Sequence, residues 1–213
     1  MTGRESNYAD TFARLISAIF HPILIPVYGM IVILTAPTLY NYIPLEIKKL
    51  LILIILVNNV LLPVSLLPFF VHRKLVSSWI ITDRKDRNVP LVIATILYLV
   101  TTYIFFRFPV PFFLKTYFIA IAFISLAATL INFFWKISLH AIGAGILLAL
   151  VLILSFRMFT PLIWFILPVI LTGGIILTSR LKLNLHNPLQ VWVGYLTGLA
   201  GFAAVSLFIQ QFI

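Results

Sequence analysis

Three short polar segments interrupt a chain that is otherwise almost wholly apolar, and each carries residue types suited to phosphate chemistry. The most specific reads Ser179-Arg180-x5-His186-Asn187-Pro188-x-Gln190-Val191-x-x-Gly194. Arginine offers a planar fork of donors that matches phosphate oxygens. Histidine works near neutral pH as a nucleophile or as an acid and base. A second segment, Lys136-Ile137-Ser138-Leu139-His140-Ala141, puts a histidine at the start of an apolar stretch, where it can handle protons beside a helix N-terminus. The third, Asp83-Arg84-Lys85-Asp86-Arg87-Asn88-Val89-Pro90, sets Arg84 and Arg87 three apart. On a helical turn those two share a face and together grip a phosphate.

Each residue also has a plainer role. An arginine at a helix end snorkels to lipid headgroups, and a charge run before a span anchors it there. Ser138 fits as a helix cap, and His140 as an interfacial polar residue. Asn187, Pro188 and Gln190 read as the N-cap, first and third positions of a capping box that opens a helix.

The elements that must position these segments follow from composition. Of 213 residues, 62% are hydrophobic and 9% charged, against roughly 25% charged in a soluble domain. So short and apolar a chain cannot bury its hydrophobic residues in one water-facing core. The sequence therefore predicts an all-α protein, a polytopic transmembrane helical bundle forming a single domain over 1–213. A span needs about 20 apolar helical residues. Seven stretches qualify: 15–36, 50–71, 88–106, 116–135, 137–156, 158–178 and 188–212. The fourth and fifth nearly abut at Trp135-Lys136, so six and eight spans are the alternatives. Prolines within the stretches, such as Pro22, Pro26, Pro63, Pro68 and Pro168, predict kinks or late helix starts. Glycines such as Gly145, Gly194 and Gly198 predict close helix packing. There is no cysteine, which excludes disulfide and thiolate chemistry. The net charge of +10 fits loops facing anionic lipid or the cytoplasm rather than nucleic-acid binding.

Seven spans put the three polar segments on the N-terminal side of the membrane, in the second, fourth and sixth loops. That side carries ten lysines and arginines and the other five, which points to a cytoplasmic face. Without Arg84, Arg87, Lys136 and Arg180, which chemistry alone would place there, the count is six to five.

Taken in order, the segments resemble the type 2 phosphatidic acid phosphatase superfamily, which includes the vanadium haloperoxidases. Its membrane members carry K-x6-R-P, then P-S-G-H, then S-R-x5-H-x3-D. Ser179, Arg180 and His186 match the third motif, with Pro188, Val191 and Gly194 recurring after the histidine. Ser138, His140 and Ala141 match the second, with Ile137 and Leu139 in place of Pro and Gly. The first survives as an arginine-rich turn before Pro90, without its lysine. The likeness covers about 80–200, a phosphatase-like core, and is similar to a divergent branch with S-R-x5-H-x-P-x-Q-V.

The resemblance implies a metal-independent lipid phosphatase in a bacterial inner (cell) membrane, acting through a phosphohistidine without a cofactor. His186 would be the nucleophile and His140 the acid that protonates the leaving group. Arg180, Arg84 and Arg87 would hold the phosphate, with help from Ser138 and Ser179, and Lys136 would stand in for the missing lysine. Gln190 replaces the aspartate that orients the nucleophile. Its carbonyl still accepts from the imidazole but brings no charge. The expected partners are a phosphorylated lipid substrate and the surrounding lipids, the oligomeric state being open. Candidate substrates are phosphatidic acid, phosphatidylglycerol phosphate and polyprenyl pyrophosphate. Two other readings stand beside this one: a non-catalytic relative that binds anionic headgroups or scaffolds partners, and a small transporter using Asn58, Asn59 and His21.

Overall fold

Proline placement decides how the first apolar stretch folds. In the computed structural model, which describes residues 2–77, 81, 83–209 and 211 (the side chains of 2–7 excepted), helix α1 (Thr2–Ile19) stops short of the bilayer-length span expected over 15–36. Pro22 has no N–H to donate and pushes the residue before it out of the helical region. His21 is accordingly extended, with φ −61° and ψ 137°. A 3-10 turn at Pro22–Leu24 leads into α2 (Ile25–Thr35), whose Pro26 sits at the helix start where an N–H is not needed. The break frees carbonyls at the end of α1. Ile19 O accepts from Tyr28 Oη at 2.7 Å, and Ser17 O is taken up by His140 of the site described below.

The remaining spans are α3 (Leu45–Ile55) continued through a π turn at Leu56–Leu61 into α4 (Leu62–His72), then α5 (Asn88–Arg107), α6 (Phe112–Phe134), α7 (Leu139–Arg157), α8 (Ile163–Lys182) and α9 (Pro188–Ile209). Seven helical stretches are long and apolar enough to cross a membrane, and the chain is an all-α polytopic bundle. Large apolar side chains cover its outside, among them Phe134, Phe156, Trp164 and Leu171, as lipid contact requires. The last expected span, 188–212, ends as a helix at Ile209, and position 212 lies outside the described residues. The π turn carries Asn58 and Asn59 into the bundle. Asn58 Nδ2 donates to Leu97 O of α5 at 2.9 Å, and Asn59 Oδ1 accepts from Thr101 Oγ1. Neither asparagine lines the main cavity, so the pair ties α3 and α4 to α5.

Helix α7 is the most deeply buried span, and α9 lies directly against it. Glycines set that distance. A Cβ on Gly194 would lie 2.7 Å from the Ser138 carbonyl oxygen, and one on Gly145 2.7 Å from Leu199 N. A Cβ on Gly198 would strike the backbone of Ile142. Close backbone approach of this kind replaces the hydrophobic drive that lipid does not provide between helices. It also brings together the first turns of α7 and α9, where Ser138 N–H donates to Gln190 O at 3.3 Å. Two of the three polar segments are thereby joined.

Candidate active site

The loop between α8 and α9 turns at Asn184, whose φ of 52° an asparagine tolerates. Two residues on, His186 is 7% exposed. Its Nδ1 lies 3.1 Å from Gln190 Oε1, one turn into α9. The amide oxygen has no proton to give, so Nδ1 carries the hydrogen and donates it, which leaves Nε2 with a lone pair. The same Oε1 accepts from Asn187 N–H at 3.3 Å, while Asn187 Oδ1 accepts from Gln190 N–H at 2.8 Å. Asn187 and Gln190 therefore cap α9 and orient His186 at once.

Arg180, on the last turn of α8, is 6% exposed. Its Nη1 donates to Ser17 Oγ at 3.0 Å, and its Nε has no hydrogen-bond partner. His140 Nε2–H donates to the carbonyl freed at Ser17, at 3.0 Å, so Nδ1 is the nitrogen left to exchange a proton. Arg87, at the start of α5, is also buried. Arg87, His140, Arg180 and His186 all line one cavity of about 1060 Å³. None of the described residues that line it is acidic.

Burial, then the Arg87 guanidinium, and then Arg180 and Lys136 push the His186 imidazole down to about 4, against an opposing effect of the Gln190 hydrogen bond. Burial, Arg87 and Arg180 likewise lower the Lys136 amine, while Asp83 acts the other way. Cations crowd the cavity in this way, and no carboxylate is among the described residues that line it, an arrangement that favours an anionic ligand. His186 is neutral there at pH 7 and keeps its lone pair.

Away from the charges the cavity is apolar. On α5 it follows one face from Arg87 through Leu91 and Ala94 to Tyr98, a descent of about 16 Å into the bundle. Ile124 and Ala128 of α6 and Ile142 and Ile146 of α7 supply the facing walls. A polar head with an apolar shaft beneath it has the shape of a lipid.

Four other expected residues stand elsewhere. Arg84 does not line the cavity with Arg87. Its guanidinium donates to Asn132 O at 2.8 Å and to Phe133 O, and its own carbonyl accepts from Asn132 Nδ2 at 3.0 Å. The last carbonyls of α6 have no partner within their helix, and Arg84 satisfies them. It therefore holds the second loop to the end of α6, outside the cavity lining. Ser138 is fully buried as the N-cap of α7, its Oγ accepting from Ala141 N–H at 3.4 Å. Ser179 Oγ donates to Ile175 O at 2.8 Å, within its own helix, and faces a smaller hollow beside α1. Lys136 is half-buried outside the cavity lining, close enough to affect His186 only through its charge.

Sequence reading missed the contribution of α1 and of the turn that follows it. Arg14, Ser17 and His21 all line the cavity, and the His21 ring meets that of His140 edge-on, with centroids 5.7 Å apart. The available signal was Pro22, which breaks the helix and turns the Ser17 carbonyl over to His140. No family model, curated protein or solved structure matches the chain.

Proposed function

We propose that the protein is a membrane phosphatase that hydrolyses a phosphate ester or anhydride on a lipid through a phosphohistidine at His186. The observation that carries this reading is the one cavity in which two buried arginines and two histidines meet above an apolar shaft, with no acidic residue among the described residues that line it.

The chemistry follows from the hydrogen bonds. Arg87 and Arg180 hold the non-bridging oxygens and offset their charge. His186 Nε2 attacks phosphorus while Gln190 Oε1 holds Nδ1–H. A phosphorus–nitrogen bond forms, the bond to the leaving oxygen breaks with its electron pair on that oxygen, and His140, entering the step as an imidazolium beside the anionic phosphate with Nε2–H on Ser17 O, gives the oxygen its Nδ1 proton. Water then gives a proton back to His140 and attacks phosphorus, and inorganic phosphate leaves with His186 restored. The lipid tail lies against Leu91, Ala94 and Ile146 throughout. The face bearing the site is cytoplasmic on the lysine and arginine count.

The test is phosphate release by purified protein from phosphatidic acid, phosphatidylglycerol phosphate and a polyprenyl diphosphate. The expected result is turnover of at least one, lowered about a thousandfold or more by His186→Ala. A second reading, a binder of anionic lipid headgroups without turnover, draws on Gln190, since a neutral amide cannot stabilise an imidazolium as a carboxylate does. Saturable binding without release across the panel would favour it.

A further inference from the structure

Gly174 of α8 packs against no helix. An added Cβ there meets nothing within 4 Å, whereas one on Gly145 or Gly198 meets the backbone of a neighbouring helix. The open space belongs to a second hollow, of about 540 Å³, between α1 and α8. Pockets that hold small molecules run from about 300 to 1,000 Å³. The α8 wall passes through Ile170, Gly174, Thr178 and Lys182, which stand four apart and so share a face. From Ile170 to Lys182 that face is about 18 Å long. One leaflet of hydrocarbon is about 15 Å deep, half of a core of about 30 Å. On the α1 side the small Ala9 and Ala13 leave the hollow its width. Phe12 and Leu171 form its rim, and both are more than half exposed, so the hollow opens towards lipid.

The Lys182 end carries one charge of each sign. Lys182 Nζ lies 4.0 Å from Asp10 Oδ1, and both side chains are nearly half exposed. A direct charge-assisted bond is about 2.7–2.9 Å long. The looser pair leaves donors on Lys182 and lone pairs on Asp10 for a further partner. A phosphate suits the first and an ammonium the second. A head with a phosphate alone would satisfy Lys182 and lie against the Asp10 carboxylate.

We infer that this hollow is the site of a resident phospholipid whose head carries both a phosphate and a primary ammonium. One acyl chain lies along Gly174 and Ile170, the phosphate accepts from Lys182 Nζ, and the ammonium donates to the Asp10 carboxylate. The lipid fills space between α1 and α8 that no side chain fills, and so braces α1. Ser17, on the same helix, accepts from Arg180 through its hydroxyl and from His140 through its carbonyl. The resident lipid thus positions both groups from outside the main cavity, with which the hollow shares no lining residue. Its binding does not depend on turnover.

The experiment follows thermal unfolding of the full-length protein, stripped of lipid in detergent, as phosphatidylethanolamine, phosphatidylcholine or phosphatidylglycerol of the same acyl chains is added. Phosphatidylcholine keeps the cation but has no N–H to donate, and phosphatidylglycerol has no cation. The expected rise in Tm is about 2 °C or more with phosphatidylethanolamine and smaller with the other two. Gly174→Phe puts a side chain into the open space and removes the rise. Asp10→Asn removes the preference for phosphatidylethanolamine over phosphatidylglycerol. Equal rises with all three lipids in the unaltered protein, or no rise with any, overturn the inference, as does an undiminished rise in Gly174→Phe. A phosphatidylethanolamine with a photoreactive group on its acyl chain locates the site without any variant. Label on the residues of α1 and α8 that line the hollow upholds the inference, and absence of label from them overturns it.

Discussion

Gln190 Oε1 accepts from His186 Nδ1 at 3.1 Å and, with the same atom, from the N–H of Asn187 at 3.3 Å. One side chain thus closes the first turn of α9 and fixes which nitrogen of His186 faces the cavity. Gln190→Leu removes both bonds. A lost cap costs about 1 kcal/mol, and a mis-set imidazole lowers kcat by about tenfold to a hundredfold. Gln190→Glu keeps both acceptors and adds a negative charge, so it raises the His186 pKa and kcat together. Steady-state kinetics with NMR titration of His186 checks the pair of effects.

Acid sensitivity follows from the charges around His186. Its pKa is pushed down to about 4 by burial and next by Arg87. Protonated His186 cannot attack phosphorus, so kcat/KM falls as pH drops through about 4 and is flat from there towards neutrality on this limb. Arg87→Gln removes the largest charge effect and shifts the limb upward, towards the 6.5 of a free imidazole. The shape of the pH profile is the readout, because the variant also binds phosphate less tightly.

Backbone contact between α7 and α9 holds His140 beside His186. Gly198→Leu forces a side chain onto Ile142 and is expected to cost about 1–3 kcal/mol, with loss of activity as the two helix starts separate. Gly174→Ala is the comparison, since an added Cβ there meets nothing within 4 Å. Thermal unfolding in detergent should show a lower Tm for the first and no drop for the second.

The apolar shaft gives a test of what the substrate carries. Ala94 lies about 10 Å below Arg87 on the α5 face. Ala94→Phe fills the shaft there. Cleavage of a long-chain lipid phosphate is expected to fall about tenfold or more in kcat/KM, and cleavage of a short-chain ester much less. A chain-length series measures this directly.

Much of this architecture was legible in the sequence because lipid imposes a simple rule. Runs of about 20 apolar residues must be helices, and their ends fix which loops share a side. Hydropathy alone therefore brings Arg87, His140, Arg180 and His186 to one face. What it does not convey is the partner each polar group finds. Arg84 and Arg87 have the same residue type and the expected spacing, yet the open carbonyls of Asn132 and Phe133 capture Arg84 alone. Ser17 reaches Arg180 across 163 positions and His140 across 123, contacts that no local pattern encodes. Pro22 was visible as a helix breaker, but the use made of the freed carbonyl depends on how α1 packs against α8, which brings Ser17 to His140.

The central claim is that His186 carries the phosphoryl group. Rapid quenching of the protein during turnover of a lipid phosphate labelled with radioactive phosphorus tests it most directly. The account predicts an acid-labile, base-stable phosphoenzyme with the label on His186, present in the unaltered protein and lost in His186→Ala. Phosphate release by His186→Ala at the unaltered rate, or label on another residue, would contradict it.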